Sequence, residues 1–284
     1  MKKLFSILTF VVVFVMGAQA QSDAFKHLAV GASLGTDGIG VDVATNVTPN
    51  VELRAGASFL PALSFNTNVN VFVPTISADQ QKALDMLDIK VPSINSKVDV
   101  KLKPKMATFK LLVDLYPSKS SPFRFTVGAY IGGAQVATAM NSDVSAQEIR
   151  NYNATLNSVQ PKLDAFNKQY GTDYKFDAAP YRPKYVMGDY TLYPDEQGYA
   201  HAEVKVSAVR PYVGIGFGRA VPKNKSLGFS FDLGVQYWGT PKIYCNGEQM
   251  TKNGNGGDVD KLMNLAQSIP VYPVMSFRLC GKIL

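Results

Sequence analysis

A two-residue rhythm, repeated in eight short segments, constrains this chain more than any other feature. Between Leu227 and Trp238, one row is Leu227, Phe229, Phe231, Leu233, Val235 and Tyr237, and the other is Gly228, Ser230, Asp232, Gly234, Gln236 and Trp238. A β-strand sends successive side chains to opposite faces, so one face of this segment is wholly apolar and the other small or polar. The pattern recurs where the odd positions of 107–115, 123–131 and 209–217 are apolar and the even positions hold Lys110, Asp114, Arg124, Arg210 and several glycines. Met275, Phe277, Leu279 and Ile283 oppose Ser276, Arg278, Cys280 and Lys282. Near the start, Leu28–Leu34, Ile39–Val43 and Val51–Phe59 complete eight predicted strands.

The connections alternate in length. Thr48-Pro49-Asn50, Pro117–Pro122 and Pro222–Lys225 are tight turns, and Thr36-Asp37-Gly38 is an Asp-Gly hairpin signal, whereas 61–103, 136–207 and 242–268 are long. Short turns on one side and long loops on the other are the signature of an up-and-down barrel spanning a membrane. An even strand number puts both termini on the short-turn side and all three long loops outside.

The first residues fit export. Lys2 and Lys3 precede an apolar run from Leu4 to Met16, followed by Gly17-Ala18-Gln19-Ala20. That is the layout of a signal peptide cleaved after Ala20, and the run is shorter than the ~20 residues of a spanning helix. The expected organisation is a signal peptide at 1–20 and a single barrel domain at 21–284. No later segment approaches spanning-helix length, so in a membrane the mature chain must be a closed barrel. The net charge of +7 becomes +5 without Lys2 and Lys3 (7 − 2), with no basic run of the kind that binds nucleic acid.

A soluble eight-stranded barrel of lipocalin type would show the same alternation turned inside out. The polar row argues against it: Asp42, Glu52, Arg54, Lys110, Asp114, Arg124, Arg210, Asp232 and Arg278 are mixed in sign, about one or two per strand, and interspersed with glycine. They are expected to form a charge network across a narrow lumen. The predicted fold is therefore an all-β, eight-stranded antiparallel up-and-down transmembrane barrel with long, partly helical outward loops.

Two loops carry structure of their own. Asn66–Val73 and Lys97–Lys103 alternate well enough to continue their strands above the membrane. Between them Ser77-Ala78-Asp79-Gln80 reads as a capping box opening a helix through Leu87. In the second loop Ser145-Ala146-Gln147-Glu148 reads as another. Ile149, Tyr152, Leu156, Val159, Leu163, Phe166 and Tyr170 follow at helical spacing, with Pro161 dividing the helix and Gly171 stopping it. Half of the 14 tyrosines lie between Tyr170 and Tyr199. Tyr174, Tyr181, Tyr185, Tyr190, Tyr193 and Tyr199 are the candidate recognition surface, since tyrosine offers a large rigid contact with one polar atom. Val186–Tyr193 and Tyr199–Val206 are expected to pair as a hairpin.

Signs of catalysis are sparse. His27 and His201 fall at opposite ends of the predicted barrel, so a hydrolase would rest on His201 with Asp189 or Glu203 and a loop serine. Gly214-Ile215-Gly216-Phe217-Gly218 lacks the helix that a dinucleotide loop requires; its glycines are lumen spacers. Asn253–Asp260 is oxygen-rich but lacks the closing Glu of a calcium loop. No cofactor or metal is expected. Cys245 and Cys280 fall at opposite ends of the barrel, too far apart for a disulfide.

By its leader, its paired strands and its closing strand Pro273-Val274-Met275-Ser276-Phe277-Arg278-Leu279, the chain resembles the small outer-membrane barrels of Gram-negative bacteria, the OmpA membrane domain and OmpX/Ail-type proteins. It departs from them by ending Lys282-Ile283-Leu284 rather than in an aromatic residue. The resemblance implies a cell outer-membrane location and a role as adhesin, envelope stabiliser, narrow pore or occasional enzyme. Among these the expectation is a non-enzymatic protein whose loops meet an extracellular protein or glycan, with a narrow porin-like channel as the alternative.

Overall fold

The computed structural model describes residues 25–187, 190–223, 225–250 and 270–284. The proposed signal peptide, Asp189 and the Asn253–Asp260 segment lie outside them.

The first half of the chain runs β1 (Leu28–Gly35), β2 (Gly38–Thr48), β3 (Val51–Phe59), β4 (Phe65–Phe72), helix α1 (Ala78–Met86), β5 (Lys97–Pro104), β6 (Ala107–Leu115), β7 (Phe123–Gly132) and β8 (Gln135–Asn141). Helices α2 (Asp143–Asn157) and α3 (Val159–Tyr170) follow, then β9 (Lys184–Met187), β10 (Tyr190–Leu192) and β11 (His201–Lys205). The chain closes with β12 (Val209–Phe217), β13 (Leu227–Tyr237), β14 (Lys242–Cys245), β15 (Glu248–Gln249) and β16 (Val271–Lys282).

Eight of these strands close a barrel in the order β1-β16-β13-β12-β7-β6-β3-β2, every neighbouring pair antiparallel. They are the eight segments singled out by alternation. Closure rests on β1 against β16, registered from Ala29↔Lys282 to Gly35↔Ser276, so no strand edge is left open. Along β6, burial alternates as the sequence demands: Thr108, Lys110, Leu112 and Asp114 are buried while Ala107, Phe109, Leu111 and Leu115 are exposed.

The exposed row decides which way out the barrel is built. Phe109 is 70% exposed, Phe229 63% and Val41 60%, and the belt continues through Phe125, Val213 and Phe277. A soluble monomer tolerates apolar patches of roughly 300–600 Å². A belt encircling the whole wall far exceeds this and is a surface for hydrocarbon, which excludes the lipocalin arrangement. β13 and β16 have 11 and 12 residues, enough for the ~9–11 that a tilted strand needs to cross.

Above the barrel stands a second sheet, ordered β10-β9-β4-β5-β8-β11-β14-β15, made by the stretches expected as long loops. It is the barrel wall continued. β4, β5, β8, β11 and β14 each adjoin a barrel strand in sequence, and β5·β8 and β8·β11 repeat the neighbours β6·β7 and β7·β12 below. Ladder bonds carry through the joint, including Lys105 N–H to the Val136 carbonyl and Val206 N–H to the Ala134 carbonyl, both 2.8 Å. This corrects the expected hairpin between Val186–Tyr193 and Tyr199–Val206. β9 folds back on β10 instead, while β11 pairs with β8 and β14, because a strand that runs straight into β12 inherits the neighbours of β12.

Helix α1 starts at Ser77, whose hydroxyl accepts from Gln80 N–H while the Gln80 side chain accepts from Ser77 N–H: the capping box read from sequence. Helix α2 starts three residues before its predicted box. Ser142, with its hydroxyl accepting from Ser145 N–H, is the cap, and Asp143 follows in the first turn where the helix dipole favours an anion. The expected division occurs at Ser158, so that Pro161 falls in the first turn of α3, where its missing donor costs nothing. Gly171 ends α3 at φ 68°.

Candidate functional site

The lumen is the first candidate, and its lower end is stoppered. Gly218, at φ 94°, turns the chain out of β12 so that Ala220 and Val221 fold inward and pack, fully buried, on Ala29 and Ala44. Glu52 holds this stopper: its carboxylate accepts from Ala220 N–H (2.9 Å), Val221 N–H (3.1 Å) and the Tyr116 hydroxyl (2.7 Å). Arg219 pairs with Glu52 at 2.9 Å and lies over the Tyr116 ring at 3.9 Å. From above, Arg278 donates to the Ala220 carbonyl at 3.0 Å and grips Asp42 through contacts of 2.6–2.9 Å. In the sequence Gly218 reads as a lumen spacer and the turn signal begins only at Pro222, so Arg219, which lies between them on no alternating row, carries no local sign of this role.

Midway up, four charges form a closed quartet. Arg54 meets Asp114 at 2.6 Å and Asp232 at 2.9 Å; Arg124 meets Asp232 at 2.7 Å and Asp114 at 3.3 Å. The Thr126 hydroxyl adds a 2.7 Å bond to Asp114. Two cations and two anions cancel, the condition under which buried ion pairs are tolerated. Gly216 makes the room: a Cβ there would stand 2.8 Å from the Arg124 guanidinium.

Two members of the expected network stand apart. Lys110 Nζ donates to Ser33 at 3.3 Å and reaches no carboxylate at ion-pair distance among the described residues. Arg210 is a correction: although fully buried, it donates to the backbone carbonyls of Ser207 and Gly133 and lies 5.5 Å from the centre of the Trp238 ring. It sits near the outward rim, beyond reach of the acids in the middle, and braces the joint between barrel and second sheet. Asp37, read as a turn residue, is 1% exposed, buried at the outward mouth. Between it and the quartet the lumen is filled by Leu112, Tyr130, Tyr212 and Val274, the two tyrosine rings meeting edge to face at 5.4 Å.

The second candidate is the layer above. Ile149 of α2 packs into the core of the upper sheet with Val69, Val98, Val100, Tyr185 and Leu192. The apolar stripe of α2 and α3 is thus covered by its own chain as far as Val159, which joins Leu84 and Ile89. Beyond Val159 the stripe opens. Leu163 and Phe166 line a groove of about 440 Å³ between α1 and α3, with Leu84, Leu87, Phe176 and Tyr181.

The six tyrosines do not form one surface. Tyr185 and Tyr190 are corrections: they are 2% and 7% exposed, because β9 and β10 turn these positions into the sheet core. Burial raises the Tyr185 phenol well above its ordinary range. Tyr174 and Tyr181 border the groove, Tyr181 stacking on Phe176 at 5.5 Å. Tyr193 is exposed, and half-buried Tyr199 donates to Asp143 at 2.9 Å.

His201 lies 3.6 Å from Glu203, which also binds Lys205 at 2.7 Å; the hydrogen bond from Lys205, before all else, holds the Glu203 carboxyl below its usual value. No hydrogen bond ties His201 to a serine among the described residues. Cys245 and Cys280 are free and buried, one in the upper sheet and one in the lumen wall. Burial pushes the Cys245 thiol up to about 11.

No family model matches the chain, so its resemblance to the OmpA and OmpX groups remains architectural, and no curated protein matches it in sequence. Among solved structures it is similar to Acinetobacter baumannii CarO2, with 15% identity over 90% of this chain and 98% of that one at a TM-score of 0.43. A. baumannii CarO follows with 13% identity over 89% and 96% at 0.43. A major outer membrane protein from Thermus thermophilus gives 14% identity over 90% and 99% at 0.28. At these scores the closed register, not the likeness, establishes the fold.

Proposed function

We propose that this chain is a non-enzymatic, non-conducting barrel of the cell outer membrane that anchors a folded recognition layer at the surface. The observation that carries this reading is the filled lumen: a stopper on Glu52 and Arg278, a neutral Arg–Asp quartet and an aromatic layer, stacked one above the other. An eight-stranded wall leaves an interior that side chains can fill, and these do. Among the described residues the chain commits as many strands to the upper sheet as to the barrel, together with three α-helices, far more than closing loops requires. The part of that layer offered to a partner is the apolar groove between α1 and α3, bordered by Tyr174 and Tyr181, which suits side chains of an extracellular protein better than a wholly polar glycan.

Planar-bilayer recording of the purified chain tests the reading. Silence at all voltages is expected; stable, reproducible openings would overturn it in favour of the narrow channel. Protease added to intact cells should cut within 171–183, between α3 and β9, and leave the barrel strands whole.

A further inference from the structure

The outer face of the upper sheet continues the lipid-facing row, but its chemistry changes abruptly. Along β6 and β5 the odd positions run Leu111, Phe109, Ala107 and then Lys105, Lys103, Lys101, without a slip in alternation. The last apolar rung is Phe59↔Ala107. At about 3.4 Å per residue and a tilt near 40°, two residues climb about 5 Å, so Lys105 stands about 5 Å and Lys103 about 10 Å above that rung. The headgroup layer is roughly 5–8 Å thick on each side of the hydrocarbon, within reach of a lysine stem.

The band extends sideways. Lys205 on β11 lies opposite Gln135 on β8 and Lys242 on β14, and the backbone N–H of Lys105 bonds to Val136 beside Gln135. One rung across four adjacent strands therefore carries three lysines. Lys205 and Lys242 face each other in register; the Lys205 ammonium is held by Glu203 at 2.7 Å and lies 4.3 Å from the centre of the Tyr244 ring, while Lys242 beside it has no acid at ion-pair distance among the described residues. On this face of the four strands the acids are Asp99 and Glu203, and Glu203 is engaged with Lys205. Lys103, Lys105 and Lys242 are exposed and make no ion pair among the described residues.

We propose that this band binds the phosphate-bearing headgroups of anionic lipid in the outward leaflet, fixing the depth and tilt of the barrel. The proposal rests on the membrane-barrel reading. A basic residue near an anionic surface strengthens attachment about fivefold, so three contribute roughly a hundredfold.

Native mass spectrometry of the full mature chain in detergent, titrated with phosphatidylglycerol or phosphatidylcholine, reads this directly. Wild type should retain phosphatidylglycerol in preference, and K103Q/K105Q/K242Q should lose most of that roughly hundredfold preference. The control K162Q/K168Q/K175Q, on and just after α3, should keep it. Equal phosphatidylglycerol binding by wild type and the band variant, or an equal loss in the control, overturns the proposal and leaves the barrel standing. A chain that is monodisperse without detergent overturns the barrel reading and this proposal together.

Discussion

Replacing Asp232 with Asn tests whether the lumen is a dry, charge-balanced core. The carboxylate is nearly buried and accepts three charged hydrogen bonds, from Arg54 Nη1 at 2.9 Å, Arg54 Nη2 at 3.1 Å and Arg124 Nη2 at 2.7 Å. Asn keeps the shape but cancels the charge, leaving Arg54 and Arg124 to share Asp114 with one positive charge unbalanced. Removing one partner of a buried ion pair costs about 3–5 kcal/mol. Adding Arg124→Gln restores neutrality, so the double variant should be more stable than Asp232→Asn alone, by about 1–2 kcal/mol once the lost hydrogen bonds are counted. Reversible urea unfolding in lipid vesicles, followed by the fluorescence of the single tryptophan, Trp238, gives all corners of the cycle. Were Asp232→Asn to cost under about 1 kcal/mol, as a screened surface pair does, with no rescue by the second substitution, the lumen would be wet and the case for a sealed barrel would fail.

Three further outcomes follow from the same structure. Leu233→Lys, near the middle of the exposed row of β13, should destabilise the inserted barrel by about 2–4 kcal/mol, and Leu227→Lys at its lower edge by about 0–1 kcal/mol; equal costs at both depths would contradict a lipid-facing wall. Glu52→Ala removes the acceptor of the Ala220 and Val221 amides, so hydrogen exchange should speed up at both while the amides of β13 stay protected; unchanged exchange would show that the stopper is held by packing alone. In a Cys280→Ser background, Cys245 should resist maleimide at pH 8. Its thiol is buried and neutral well below about 11, and urea should make it reactive, whereas prompt labelling of the folded protein would mean that the upper sheet opens in solution.

The location of the walls was legible because alternation is a local signal. Phe229 next to Ser230 next to Phe231 states which face meets hydrocarbon, and the register of β13 on β16 follows it residue by residue. The caps at Ser77 and Gly171 were legible for the same reason, since a cap is built from three or four neighbouring residues. Arg219 and Asp37 were not: Asp37 is buried within its own turn, and half-buried Arg219 is drawn inward by Glu52, 167 residues away along the chain, which no local pattern announces. The tyrosine cluster misled for a related reason: density along the chain says nothing about which side of a sheet each ring takes, and Tyr185 and Tyr190 went to the core.

By itself the sequence determined that eight segments must alternate, that one row must be greasy and the other charged, and that three connections must be long. Those facts depend only on the period of a strand and the identity of adjacent residues. Tertiary structure decided which arginine meets which aspartate, that the turn at Ala220 seals the lower mouth, and that the long connections join into a second sheet rather than three separate loops. The seal and the cross-lumen pairs required barrel closure first, since only a closed wall brings Glu52 to face Arg219 and Asp232 to face Arg54, 167 and 178 residues away along the chain.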